Sequence, residues 1–380
     1  MEHPLLALAR AYDRAVPSEG HTLRDEVESW LETEPAEAVV AYAAHFSVLT
    51  QTCQLGRHGI WEEPQTDALY GLLASSLWHA QFLEDSYPVS PEEDGERPRT
   101  RYWVHQNKNQ EAQSGYDFGI VTPFGENNVK ITLFQAKRPK DEAAWKKISL
   151  GHVIRKNTGQ TPPDDTLAKK QQEAIADIKQ WIEDGAKGDE IPSFLDDCGD
   201  GPELRKNALR HGPGSLFYSP YSNLQSDVFL ATALRGWLDP NAQTLSGGWC
   251  HYVQWVNRNA GAPWSVTLED ALATGGSAYK CRKPFAQVLT AALSSFDGTI
   301  GLRQERTALN AFTGIINGLL PGLAWGSVAD QPEIANALLY DCGVAPEDIS
   351  PSIGEAVAPA ADDVDLHDGP SRPRPGPGLG

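Results

Sequence analysis

Between Arg101 and Lys137 the apolar residues stop recurring every third or fourth position and begin to alternate: Tyr102 and Val104, then Phe118 and Ile120, then Val129, Ile131 and Leu133. Alternation of this kind marks strands with one face on a core. Gly125-Glu126-Asn127-Asn128 lies between the last two strands and supplies the turn residues of a hairpin. The chain has a helical period before residue 101 and over most of its length after residue 137, so it reads as an α/β protein.

Ahead of the strands, helices are expected over Pro4 to Val16, Leu23 to Trp30 and Ala36 to Cys53, with Pro17, Gly20 and Pro35 between them; residues 1–58 read as a helical N-terminal cap. A further helix opens at Glu62-Glu63-Pro64-Gln65-Thr66, with proline in its first turn and Leu69, Leu72, Leu73, Leu77 and Trp78 at helical spacing for burial. The run Pro88 to Pro98 is a polar, proline-bounded loop. After the hairpin, helices are expected from Asp141 to Val153 and from Thr166 to Asp184, and a short strand over Ser215 to Tyr218. Residues 226–350 read as a mainly helical region of unassigned role, interrupted at Gly247-Gly248 and Gly275-Gly276, and residues 351–380 as a disordered tail.

Composition narrows the class. The 380 residues are 40% hydrophobic and carry eleven each of Trp, Tyr and Phe, too much apolar material for a disordered chain. No apolar run approaches the roughly 18 residues that span a bilayer, and Ile315 to Val328, broken by Pro321, reads as a buried helix pair. Met1 to Arg14 lacks the pattern of a secretory signal, so the expectation is a cytoplasmic protein. Cys53, Cys198, Cys250, Cys281 and Cys342 are odd in number and scattered, and read as reduced core residues rather than disulfides or a zinc knuckle. Cys250-His251 invites a nucleophile or zinc reading, but neighbours on a strand point to opposite faces, and core packing is the simpler expectation.

The net charge of −19 counts against a uniformly nucleic-acid-binding surface. Residues 101–187 are the exception, with 14 bases against 11 acids. Lys137, Arg138, Lys140, Lys146, Lys147, Arg155 and Lys156 are opposed there only by Asp141 and Glu142. A polyanion fits this stretch if it fits anywhere; a solvated face is the plainer alternative.

The hairpin also places chemistry. In Val129 to Lys137, odd-numbered side chains share a face, so Gln135 and Lys137 point the same way. A turn symmetric about Glu126 pairs residues whose numbers sum to 252, which sets Asp117 across from Gln135, with Cβ atoms roughly 5 Å apart. An acid, an amide and an amine therefore converge at the ends of two strands. The Asp117 carboxylate, the Gln135 amide oxygen and the Ala136 carbonyl suit Mg2+ or Mn2+. Lys137 would hold or deprotonate a water and offset developing charge. Glu63 and Glu111 are candidates for a second carboxylate. A plain surface ion pair between Asp117 and Lys137, worth under about 1 kcal/mol, is the competing reading.

The order Glu63-x-x-Thr66 on a helix, Gly115-Tyr116-Asp117 on a strand and Leu133-Phe134-Gln135-Ala136-Lys137-Arg138 on the next resembles the PD-(D/E)xK nuclease superfamily. More narrowly, it is similar to the QxK variant of Mrr-type restriction endonucleases and related defence nucleases. The likeness covers roughly residues 60–225 and departs in having Gln135 where an acid is usual and Tyr116 where proline is usual. It implies a restriction-endonuclease-like α/β core, a mixed central sheet flanked by helices, with mainly helical N- and C-terminal regions. Asp117 and Gln135 would be metal ligands, Lys137 the catalytic lysine, and Glu63 a further ligand or water-positioning group. The likeness also takes in Glu111, Gln171 and Gln172, and the strand Leu216-Phe217-Tyr218. Arg138, Lys140, Lys146, Lys147 and Gln171 are the residues expected on nucleic acid. The function implied is Mg2+-dependent cleavage of DNA in defence against foreign DNA, in a possible homodimer. The alternatives are a catalytically inactive scaffold that binds a protein partner through its acidic flanks, and an acidic DNA-mimic inhibitor.

Overall fold

The computed structural model describes residues 2–16, 22–55, 62–87, 102–105, 115–125, 127–139, 146–152, 179–180, 184, 225–238, 242–256 and 262–305. Four helices come first: α1 (Pro4–Ala15), α2 (Leu23–Thr33), α3 (Pro35–Gln54) and α4 (Glu62–Ser86). Their starts have local causes. Asp13 on α1 accepts from the backbone N–H of Leu23 and Arg24 at 2.9 and 3.0 Å, and Thr22 and Asp25 form a capping box at the same helix end. Pro35 occupies the first turn of α3, where its missing N–H costs nothing.

Strands β1 (Tyr102–His105), β2 (Phe118–Phe124) and β3 (Asn128–Lys137) come next, then α5 (Gln225–Leu238), β4 (Ala242–Thr244), β5 (Cys250–Gln254), β6 (Trp264–Thr267), α6 (Leu268–Ala273), β7 (Lys283–Pro284), α7 (Phe285–Leu293) and β8 (Leu302–Glu305). Among the described residues they form a curled, mixed, eight-stranded sheet in the order β1-β2-β3-β5-β6-β7, with β8 pairing both β3 and β4. The ten-residue β3 is the trunk. Along one edge it pairs antiparallel with β2; along the other its first half pairs antiparallel with β8 and its second half parallel with β5.

The hairpin register is the one its turn requires. Phe118↔Phe134, Ile120↔Thr132 and Phe124↔Asn128 all sum to 252, and Gly125 takes φ 61, a left-handed conformation that glycine adopts without strain. The alternation is misleading in one respect. Even-numbered Lys130, Thr132, Phe134 and Ala136 are as buried as odd-numbered Val129, Ile131 and Leu133, because helices cover both faces of the sheet. On one face, Trp103, Phe118 and Phe134 stack at 4.5 and 4.9 Å and join a core with α3, α4 and α7. On the other, Phe229 of α5 meets Tyr252 edge-on.

Several expectations are corrected. Residues 147–152 are irregular rather than helical, and residues 141–145 and 153 of that expected helix lie outside the described residues. Residues 242–305 are not mainly helix: they provide five of the eight strands, all in the same sheet as the hairpin. The N-terminal segment is helical, and its α3 belongs both to the cluster beneath the sheet and to the one shared with α1 and α2. Trp78 is 68% exposed. It lies nine residues after the buried Leu69, and at 100° per residue that is the far side of α4. Cys250 is buried as expected, whereas Cys53 and Cys281 are exposed. The loop at Pro88 to Pro98, most of the helix over 166–184, the strand at 215–218, the helix pair at 315–328 and the tail lie outside the described residues. No helix among the described residues is long and apolar enough to cross a membrane.

Candidate active site

The site forms where β3 ends. Asp117 immediately precedes β2, and its backbone N–H donates to Phe134 O at 2.9 Å, extending the hairpin ladder by one position. Its approach is fixed by Gly115, which has φ 76 and lies so close to α5 that a Cβ there would strike the backbone of Phe229. The side chain then reaches β3. Oδ2 of Asp117 accepts from Gln135 Nε2 at 2.6 Å and from the backbone N–H of Ala136 at 2.6 Å. Gln135 Nε2 also donates to Ala136 O at 3.1 Å, while its Oε1 is buried with no hydrogen-bond partner among the described residues.

Lys137 extends from the same face of β3 and is buried. Its ammonium does not pair with Asp117. It donates to Oε1 of Gln225, at the start of α5, across 2.5 Å. Gln225 is placed in turn by its backbone N–H, which donates to His152 O at 3.0 Å, and by the neighbouring Ser226 Oγ, which donates to Leu150 O at 3.1 Å. On the adjoining parallel strand, Tyr252 stands in register with Gln135 and Gln254 with Lys137. Both strands point their carboxyl ends here, the end of a parallel pair at which open α/β sheets place ligands.

Of the remaining expected residues, Glu63 is exposed, and the acid that meets the strand end is its neighbour Glu62, whose Oε2 accepts from the backbone N–H of Arg138 at 3.1 Å. One residue along a helix turns the side chain by 100°, so the choice between two consecutive glutamates was beyond a sequence reading. Lys146 and Lys147 are exposed. Glu111, Lys140 and Gln171 lie outside the described residues. Gln225, at the head of a helix 88 residues beyond Lys137, carries no local sequence signal and was missed.

The donor set is oxygen-rich but has low charge. Asp117 Oδ2 and the Ala136 carbonyl both converge on the Gln135 NH2 group, which stands where a cation would satisfy them equally well, and the oxygen of that same amide is buried without a bond among the described residues. Among the described residues no group of three or more His, Cys, Asp or Glu side chains is arranged to hold a metal. A cavity of about 150 Å3 lies elsewhere on the sheet, lined by Gly247, Gly248, His251, Glu269 and Lys283 among others; none of the site residues borders it. His251 is pushed down to about 4, chiefly by burial, so its ring is neutral there. The Cys250 thiol is raised by burial and by Glu269, and Cys250 and His251 lie on opposite faces of β5, which makes no nucleophile pair.

No family model matches the chain, and neither the curated proteins nor the solved structures gave a match.

Proposed function

We propose that the protein is a metal-dependent endonuclease that hydrolyses phosphodiester bonds in DNA, in a setting of defence against foreign DNA. The observation that supports this is the contact between the Asp117 carboxylate and the Gln135 amide at the end of a strand whose next residue on that face is Lys137. The restriction-endonuclease-like reading of the core belongs to the same proposal: a helix, three antiparallel strands and a further strand parallel to the third are compatible with a mixed central sheet flanked by helices.

The residues fit Mg2+ or Mn2+ by chemistry. Asp117 Oδ2, the Ala136 carbonyl and the Gln135 amide oxygen are the hard oxygens such ions prefer, and exchanging the amide NH2 for its oxygen needs only rotation of one side-chain torsion. A bound divalent ion supplies a Lewis acid that activates water and offsets phosphate charge. The chain supplies the rest. The Lys137 ammonium is held by a neutral partner, so its full charge remains to stabilise the negative charge that develops on a phosphate oxygen. Glu62 pins the backbone at Arg138 to the first turn of α4 and fixes how the chain leaves the site.

The rival reading is a non-catalytic scaffold engaging a protein partner. It is favoured by the self-sufficiency of the cluster, in which Asp117 and Lys137 already bond to protein groups. Plasmid DNA incubated with the protein and Mg2+ or Mn2+ separates the two. Cleavage is expected, with a loss of roughly 100-fold or more in Asp117→Ala and Lys137→Ala. Cleavage unchanged in both variants removes the site assignment, and none with either metal favours the scaffold.

A further inference from the structure

Two segments without a single acidic residue meet at the edge of the sheet: residues 146–152 (KKISLGH) and 277–284 (SAYKCRKP). The backbone N–H of Ile148 donates at 2.8 Å to the carbonyl of Gly276, the residue just ahead of the second segment, which brings the two together. Lys146, Lys147, Lys280 and Arg282 are exposed; Lys283, exposed as well but in register with Ser265, stands on the opposite face of the sheet from Trp264 and borders the cavity with His251 and Glu269. At the centre stands Tyr279, whose ring has the Arg282 guanidinium 3.5 Å and the Lys146 ammonium 5.4 Å from its centroid. Tyr279 is anchored by an edge-on contact with the buried Trp264 at 6.1 Å. Gathering like charges about one ring works against their mutual repulsion. In a chain with 51 acids and 32 bases, two acid-free cationic segments brought together from distant sequence form a surface for an anion.

The sheet places this surface relative to the site. Lys137 pairs with Gln254, Gln254 with Trp264 and Trp264 with Pro284, one continuous row across β3, β5, β6 and β7. Three strand spacings are roughly 14 Å. A nucleic-acid strand covers that in about four nucleotides at 3.4 Å of rise each. The other route is equally direct: segment 146–152 also carries the Leu150 and His152 carbonyls that seat Ser226 and Gln225, the partner of Lys137.

We propose that Lys146, Lys147, Lys280 and Arg282, on the two segments that meet at Tyr279, form a track for the phosphate backbone of DNA, and that this track delivers the strand to Lys137. The inference rests on the reading of the Lys137 site as a DNA-cutting centre and deepens it by naming where the substrate lies. It gives residues 277–284, to which no role attached, a share in binding. Contacts of this kind are indifferent to base sequence and strongly dependent on salt.

The test is binding of a fluorescently labelled duplex to the full chain in chelator, measured by anisotropy between about 50 and 200 mM salt. Against wild type, the double variant K280Q/R282Q is expected to bind at least about tenfold more weakly at the lowest salt, and the slope of log affinity against log salt should fall by about 2, near 0.9 per lost phosphate contact. K146Q/K147Q should lower the slope by about 2. A control, R10Q/R14Q/R24Q on the N-terminal helices, should leave both quantities unchanged. No binding by wild type, an unchanged slope in K280Q/R282Q, or an equal loss in the control overturns the inference. Binding carries no metal requirement, so the two proposals fail separately. Salt-dependent binding lost in K280Q/R282Q, with no cleavage under any metal, upholds the track and rejects the nuclease; cleavage with an unaltered slope does the reverse.

Discussion

At Asp117 a single oxygen satisfies two donors, the Gln135 amide and the Ala136 N–H. Asp117→Ala therefore takes away the carboxylate both rely on, and each buried donor left unsatisfied costs about 1 to 3 kcal/mol. Urea unfolding should show a lower midpoint in this variant, so lost cleavage alone would not prove a chemical role. Gln135→Glu is the sharper probe. It sets two carboxylates at hydrogen-bonding distance, and in chelator the protein should lose about 3 kcal/mol through the unpaired charge. Millimolar Mg2+ should return most of that loss, read as a rise in Tm. A Tm indifferent to Mg2+ and Mn2+ in this variant would remove the metal reading.

Two histidines give the residue scale a pH dependence. Burial lowers His45 to about 4 despite the opposing pull of Asp13; burial lowers His251 to about 4 as well, with the Gly248 carbonyl raising it and Lys283 lowering it further. In the unfolded chain both titrate near 6.5. Between about pH 6.5 and 4 the unfolded state thus binds more protons than the folded one. Their contribution is complete above about 6.5 and is lost as pH falls through that window, by up to about 3 kcal/mol each. Unfolding free energy measured from about pH 7 to 4.5 should decline over that range, and the decline should be shallower in His45→Gln/His251→Gln, whatever its starting stability.

Among elements, β3 and α7 depend on one another through Lys130. This lysine is fully buried, and its ammonium donates to Ala291 O in the last turn of α7 and to Asp297 O just beyond it, both at 2.6 Å. A cation at a helix C-terminus satisfies carbonyls the helix cannot and complements its dipole. Lys130→Met preserves the apolar stem but removes the donor from both carbonyls, so a loss of about 2 to 4 kcal/mol is expected, measured by denaturant unfolding. A second clasp works from the N-terminal side, where Glu37 of α3 accepts from the Ser295 N–H at 3.1 Å. Both clasps hold the same turn after α7, which keeps that helix seated on the sheet between α3 and β3.

For the whole molecule, these contacts divide the N-terminal helices by role. Among the described residues, α1 and α2 share a cluster with α3 and the later part of α4, whereas Val40, Ala43, Ala44 and Val48 of α3 lie in the core beneath the sheet. A chain beginning at Glu34 should still unfold cooperatively, with a lowered Tm. One beginning after residue 58 should show no cooperative transition, because it lacks a wall of the main core. Calorimetry on the two truncations checks this directly.

What the sequence determined by itself was local. A turn of glycine, acid and amides, flanked by alternating apolar residues, set a register in which Asp117 meets Gln135 only 18 residues away, and short-range hydrogen bonding leaves that pairing little freedom. The helix starts were legible for the same reason, since caps and prolines act within a turn. Partners from distant chain were not legible. The parallel strand β5 joins β3 at Leu133↔Cys250, Gln225 captures Lys137, and Glu62 rather than Glu63 faces the strand end. Each depends on the rotation of a helix or the return of a long crossover, which burial of both faces of the sheet decides and no short stretch of sequence encodes.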